Sequence, residues 1–178
     1  MRLAALLVGL LAVAGIQATQ PAKPKVTRGS LVPLESGFDV RIAKAGQQDP
    51  FDLLGNTRAV YLEGYGVVFT TELNLIVSPG LSPFRPQITK DEIERTHQRK
   101  LAKLQVLKKA VREALASTAA AIDALPPGEQ VVMAVTLFYF SWEDRTGLPS
   151  QIVMQAPKSA LVGGPGQASN TAIQIKEF

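Results

Sequence analysis

The chain has 178 residues, 46% hydrophobic and 19% charged, with 14 Gly and 12 Pro. That composition fits one ordinary globular domain and excludes collagen-like, wholly disordered and coiled-coil classes. Nineteen Lys and Arg against 15 Asp and Glu give a net charge of +4, with one His and no Cys, which excludes disulfides, thiol nucleophiles and Cys-based or multi-His metal sites.

Met1-Arg2 is a short positive start, and Leu3 to Ile16 is an unbroken run of Leu, Ala, Val, Gly and Ile. Small residues at Ala12, Ala14, Gly15 and Ala18 complete the anatomy of a secretory signal peptide, with cleavage expected after Ala18 or, alternatively, Ala14. The run is shorter than the roughly 20 residues that a membrane-crossing helix needs. The sequence therefore predicts a signal over 1–18, an extended Pro- and Lys-containing tether over 19–30, and a single domain over 31–178. The mature chain is expected to be bacterial and exported, periplasmic or secreted, with no membrane span once the signal is removed.

Leu31 to Leu34 reads as a short strand broken by Pro33. Phe38 to Lys44 alternates strictly, with Phe38, Val40 and Ile42 on one face, and reads as a half-buried strand. Ala59–Leu62 and Val67–Leu75 flank Gly64-Tyr65-Gly66 as a hairpin, Val67, Phe69, Thr71, Leu73 and Leu75 lining one face. Ser78 to Ile88 carries Pro79, Pro83 and Pro86, which forbid a helix or a central strand. Thr89 and Glu92 then match a capping box opening a helix that runs to Leu125, before Pro126-Pro127-Gly128. Ile93, Leu104, Leu107, Val111, Leu115, Thr118, Ile122 and Leu125 form its apolar stripe. Val131 to Phe140 reads as a strand buried on both faces, so something besides the helix, the N-terminal segment or a second subunit, has to cover it. Strands are also expected over 151–155 and 172–178, with one helical turn from Pro157 to Leu161 and a loop over 163–170.

The order β-β-β-α-β-β-β excludes doubly wound α/β folds, since one long helix cannot cover both faces of a parallel sheet. It predicts an α+β domain: an antiparallel or mixed sheet of about five to six strands packed by one long amphipathic helix.

The strongest charge anomaly lies on that helix. Arg95, Arg99, Lys100, Lys103, Lys108, Lys109 and Arg112 fall within a stretch that has no acid. Arg95, Arg99 and Lys103 recur every four residues, an outward stripe that suits an anionic partner, with Lys109 further along the same helix; an ordinary solvated face is the plainer reading. Nucleic acid is disfavoured, because no stacking aromatics interleave with the basic residues. His97, near the apolar stripe, has no catalytic partner in the sequence. Tyr139, Trp142, Glu143, Asp144 and Arg145 cluster at a strand end, where a ring could stack a sugar and carboxylates could serve a hydrolase. Adjacent residues point apart, which argues against Glu143 and Asp144 as a facing pair. The glycines around Tyr65 lack dinucleotide spacing. G-x-S-x-G, S-x-x-K, P-loop, H-E-x-x-H and EF-hand motifs are absent, and no cofactor or metal is expected.

The stretch RAVYLEGYGVVFTTELNL from Arg58, followed by the proline-rich connection and the long basic helix, resembles a group of uncharacterised exported bacterial proteins over roughly 58–178. The resemblance implies bacterial export and carries no catalytic residue. The leading expectation is a non-enzymatic envelope protein that binds a partner protein or anionic surface through Arg95, Arg99, Lys103 and Lys109, with homodimerisation open. The alternative is a small exported hydrolase or carbohydrate-binding domain using the turn around Trp142.

Overall fold

The computed structural model describes residues 25–46, 49–78, 80, 83, 87–162 and 172–178. The signal over 1–18, the tether up to residue 24, most of the proline-rich connection and the 163–170 loop lie outside the described residues.

The first element corrects the sequence reading. Both strands expected between Leu31 and Lys44 are one helix, α1 (Arg28–Ala45), which also takes in residues 28–30, expected in the tether. Thr27 is the N-cap, closed by a reciprocal capping box with Ser30. Leu31, Glu35, Phe38 and Ile42 are buried along one helical stripe, whereas Val40 is 51% exposed. The alternation of Phe38, Val40 and Ile42 was compatible with either period, and Gly29, Pro33 and Gly37 argued against helix. Tertiary burial and a good cap outweigh that poor propensity.

The strands are β1 (Asp52–Leu53), β2 (Arg58–Leu62), β3 (Gly66–Asn74), β4 (Gln130–Leu137), β5 (Gln151–Pro157) and β6 (Gln174–Glu177). They form one mixed sheet in the order β1-β3-β4-β5-β6, with β2 also pairing β3. Asp52 pairs with Asn74 and Arg58 with Thr70, so β1 and β2 succeed one another along the same edge of β3. β3 and β4 are parallel and the other pairs antiparallel. The fold is α+β, as the sequence predicted.

The parallel pair is joined by α2 (Lys90–Ala121), 32 residues long, with Thr89 and Glu92 forming the expected capping box. The helix ends four residues before Leu125, at the C-cap Ile122. Lys158, which opens the short helix α3 (Lys158–Val162), donates its Nζ to the carbonyls of Ile122 at 2.7 Å, Leu125 at 3.0 Å and Asp123 at 3.2 Å. This cation closes the carbonyl-rich end of α2, where a helix dipole favours positive charge.

Side chains alternate across the sheet. Val67, Phe69, Thr71 and Leu73 of β3 are buried on one face with Val131, Met133, Val135 and Leu137 of β4 and Ile152, Met154 and Ala156 of β5. Their apolar members join Leu31, Phe38 and Ile42 of α1 and Leu104, Leu107, Val111 and Leu115 of α2 in a single core cluster. Val60, Leu62, Val68, Val132, Ala134 and Val153 point the other way and contribute nothing to it. β4 is therefore not buried evenly on both faces, as its apolar run suggested. Val132 is 5% exposed, but Ala134 is half-buried and Thr136 exposed.

Candidate functional site

α2 spans about 48 Å at 1.5 Å per residue, whereas the nine residues of β3 span about 30 Å. The helix overhangs the sheet, and two irregular segments clothe the overhang: residues 49–51 on one side and 138–150 on the other. Both candidate sites sit on this overhang.

The 138–150 segment is tied down by a buried ion pair. Lys100 Nζ contacts Glu143 Oε2, the two side chains being 0% and 1% exposed. Lys100 Nζ also lies 4.7 Å from the centroid of the Tyr139 ring, a cation–π contact. Burial holds the Lys100 ammonium below its usual range, opposed by the hydrogen bond and charge of Glu143. Burial first, then the Glu143 charge, pushes the Tyr139 phenol up. That phenol donates to the Pro149 carbonyl at 2.8 Å. His97 Nδ1 lies 3.1 Å from the Asp144 carbonyl oxygen, and since a carbonyl only accepts, Nδ1 carries the proton. Sequence reasoning counted Lys100 in the basic run and gave it no partner, although Ile93, Lys100, Leu104 and Leu107 share one helical stripe. A lysine in line with apolar neighbours was the available signal.

The five residues expected around Trp142 separate. Glu143 turns inward to Lys100. Asp144 stays exposed and accepts from the Thr146 amide at 2.9 Å and hydroxyl at 2.7 Å, which hold its carboxyl below the usual range. Arg145 is exposed. Trp142 is half-buried and stacks on Phe140 at 6.1 Å, while Phe140 meets Phe138 edge-on at 5.1 Å. Trp142 Nε1 and Glu143 Oε1 are buried without a partner. The carboxylates do not face each other, as adjacent residues dictate.

The basic stripe divides too. Arg95 is exposed. Arg99, with its side chain 55% exposed, contacts Asp49 at 3.1 Å. Lys103 donates to the Asp49 carbonyl and lies 4.7 Å above the Phe51 ring, so it anchors the 49–51 segment. Lys108 pairs with Glu177 at 2.6 Å. Lys109 is 78% exposed, 4.0 Å from Glu113.

The helical state of 28–45 adds what the sequence reading missed. A groove of about 460 Å³ between the helices is lined by Arg41, Lys44 and Ala45 of α1 and Ala110, Glu113 and Ser117 of α2. Arg41 and Lys44 are exposed, so both helices contribute cations to one layer of the molecule. With the 38–44 stretch read as a strand, these two cations had no place beside the long helix.

No family model matches the chain, and neither a curated protein nor a solved structure matches it. Among the described residues no group of three or more His, Cys, Asp or Glu is placed to hold a metal ion. No helix among them is long and apolar enough to cross a membrane.

Proposed function

We propose that the chain is an exported, non-enzymatic interaction domain that binds an anionic partner in the cell envelope through the basic layer of its two long helices. Export rests on the positive start and apolar run of residues 1–16. The observation that carries the binding site is the α1–α2 groove, where Arg41 and Lys44 come alongside Glu113 and the face bearing Lys109. Relative to the expected stripe, the weight moves. Arg95 and Lys109 remain available, Arg99 is shared with Asp49, and Lys103 is committed to its own chain. Arg41 and Lys44 take up the role that Lys103 gives up.

The buried Lys100–Glu143 pair supports a structural part for the Trp142 turn. Its two charged groups face each other and fasten the segment to α2. The turn keeps its stacked rings for contact, but its buried carboxylate is already spent.

Retention on an immobilised anionic polymer tests the proposal. The protein is expected to bind at low salt and elute as ionic strength shortens the screening length from about 30 Å at 0.01 M to about 8 Å at 0.15 M. Arg41→Glu, Lys44→Glu and Lys109→Glu together should abolish retention while leaving thermal unfolding unchanged, since all three side chains are exposed. Retention that survives those reversals, or that does not depend on salt, refutes the basic layer as the site.

A further inference from the structure

We propose that the face of the sheet opposite the helices docks a second copy of this chain, giving a two-fold pair of stacked sheets. The register makes the apolar residues of that face contiguous. Val60 pairs with Val68, Val68 with Val132, and Ala134 with Val153. Val60 and Leu62 are 50% and 46% exposed, and none of the six is part of the core cluster. Val68, Ala134 and Val153 are half-buried and Val132 is buried, so the apolar row crosses four strands on the face where an antiparallel sheet with one free side ordinarily carries polar residues.

Charge selects the occupant. On a protein of net charge +4, the charged outward positions of the strands are Asp52, Arg58, Glu72 and Lys176, two of each sign, and the apolar row is otherwise flanked by uncharged residues such as Thr70, Thr136, Gln151, Gln155 and Gln174. Arg58 and Lys176 lie on the opposite edge strands β2 and β6, and Glu72 near the end of β3. A neutral apolar centre with both signs at its rim does not repel an identical copy, and a closed two-fold interface requires such self-complementarity. The acidic partner of the helix layer would find no cationic field here.

Size agrees with a modest dimer. Five strand positions at about 4.8 Å and seven residues at about 3.3 Å give roughly 500 Å² per copy. The pair then buries about 1,000 Å², below the roughly 1,200 Å² where stable interfaces begin and in the range of weak, reversible ones. Sheets stacked this way sit about 10 Å apart with strands crossing near 30°.

Sedimentation equilibrium of the purified protein tests this directly. A monomer–dimer equilibrium is expected in the micromolar range. Val60→Lys with Val153→Lys should weaken it at least about tenfold by placing two unpaired charges within the apolar row, with thermal unfolding unchanged. Because the chain has no Cys, Thr70→Cys and, as a control on the helix layer, Lys109→Cys can be probed with a short bismaleimide. Only Thr70→Cys is expected to yield covalent dimers. A monomer at all concentrations overturns the proposal. So does a dimer indifferent to the Val60 and Val153 substitutions, or a crosslink through Lys109→Cys.

Discussion

A charged pair with both side chains sealed from solvent is a demanding choice for a small domain. Lys100 and Glu143 each surrender hydration, and their mutual attraction returns it only while both are present. Lys100→Met alone leaves the Glu143 carboxylate buried and is expected to cost about 3–5 kcal/mol in a urea titration. Adding Glu143→Leu to the same chain should recover most of that loss, because two apolar groups replace two charges. If the double variant is no more stable than the single, the pair holds more than packing.

The other buried carboxylate carries an acid dependence. Glu35 of α1 accepts two hydrogen bonds from Arg28, one at 2.8 Å, and one from the Ala59 amide of β2 at 2.5 Å. Asp39, one turn on, accepts from the Thr57 amide and hydroxyl. The helix thereby satisfies outward-facing amides of the sheet edge that would otherwise invite another strand. Arg28 foremost, against the cost of burial, holds the Glu35 carboxyl below its ordinary value of 4.5. Its folded value lies below its unfolded one, so its contribution is complete above about pH 4.5 and is lost as pH falls through the folded value. Glu35→Gln should flatten the acid limb of a stability–pH curve, and an unchanged limb would remove Glu35 from the account.

At the scale of elements, the turn between β2 and β3 shows why a glycine reading needs structure. Gly64 and Gly66 both have positive φ, +79° and +142°. A Cβ on Gly64 would meet open space, whereas one on Gly66 would lie 1.9 Å from the Gln130 carbonyl oxygen, where β4 begins beside it. The close approach that Gly66 permits is made by the chain's own next strand. Gly64→Ala is expected to cost about 1 kcal/mol, and Gly66→Ala clearly more, about 2 kcal/mol or above, by thermal unfolding. Equal costs would contradict the packing described for Gly66.

Legibility follows the same division. α2 was readable because its cap, its stripe and its proline stop agree, and β3 because five alternating residues face one way. α1 was not, since its burial stripe shares Phe38 and Ile42 with a strand pattern and its Gly and Pro content pointed elsewhere. At the sites, the divergence of Glu143 from Asp144 followed from adjacency. The pairing of Glu143 with a residue 43 positions away did not, because parallel crossover geometry brings α2 and the 138–150 segment together only in the fold.

For the whole molecule, one layer is cationic and the opposite layer is apolar with a mixed rim. α1 and α2 carry Arg41, Lys44, Arg95, Arg99 and Lys109, and the far face of the sheet carries the valine row. The two surfaces sit back to back, so self-association through one leaves the other open to an anionic partner. A paired sheet would then present two basic layers facing outward in opposite directions, each open to its own anionic partner.

The central claim is that the helix layer is the partner-binding surface. Lysine-reactive crosslinking of the protein in its own cells, with the attachment sites mapped by mass spectrometry, tests it most directly. Partner crosslinks are predicted at Lys44 and Lys109, and their loss on combining Arg41→Glu with Arg95→Glu, substitutions that spare the reactive lysines. Partner crosslinks concentrated at Lys176 on the sheet face, or at Lys44 and Lys109 but undiminished by the charge reversals, would contradict it.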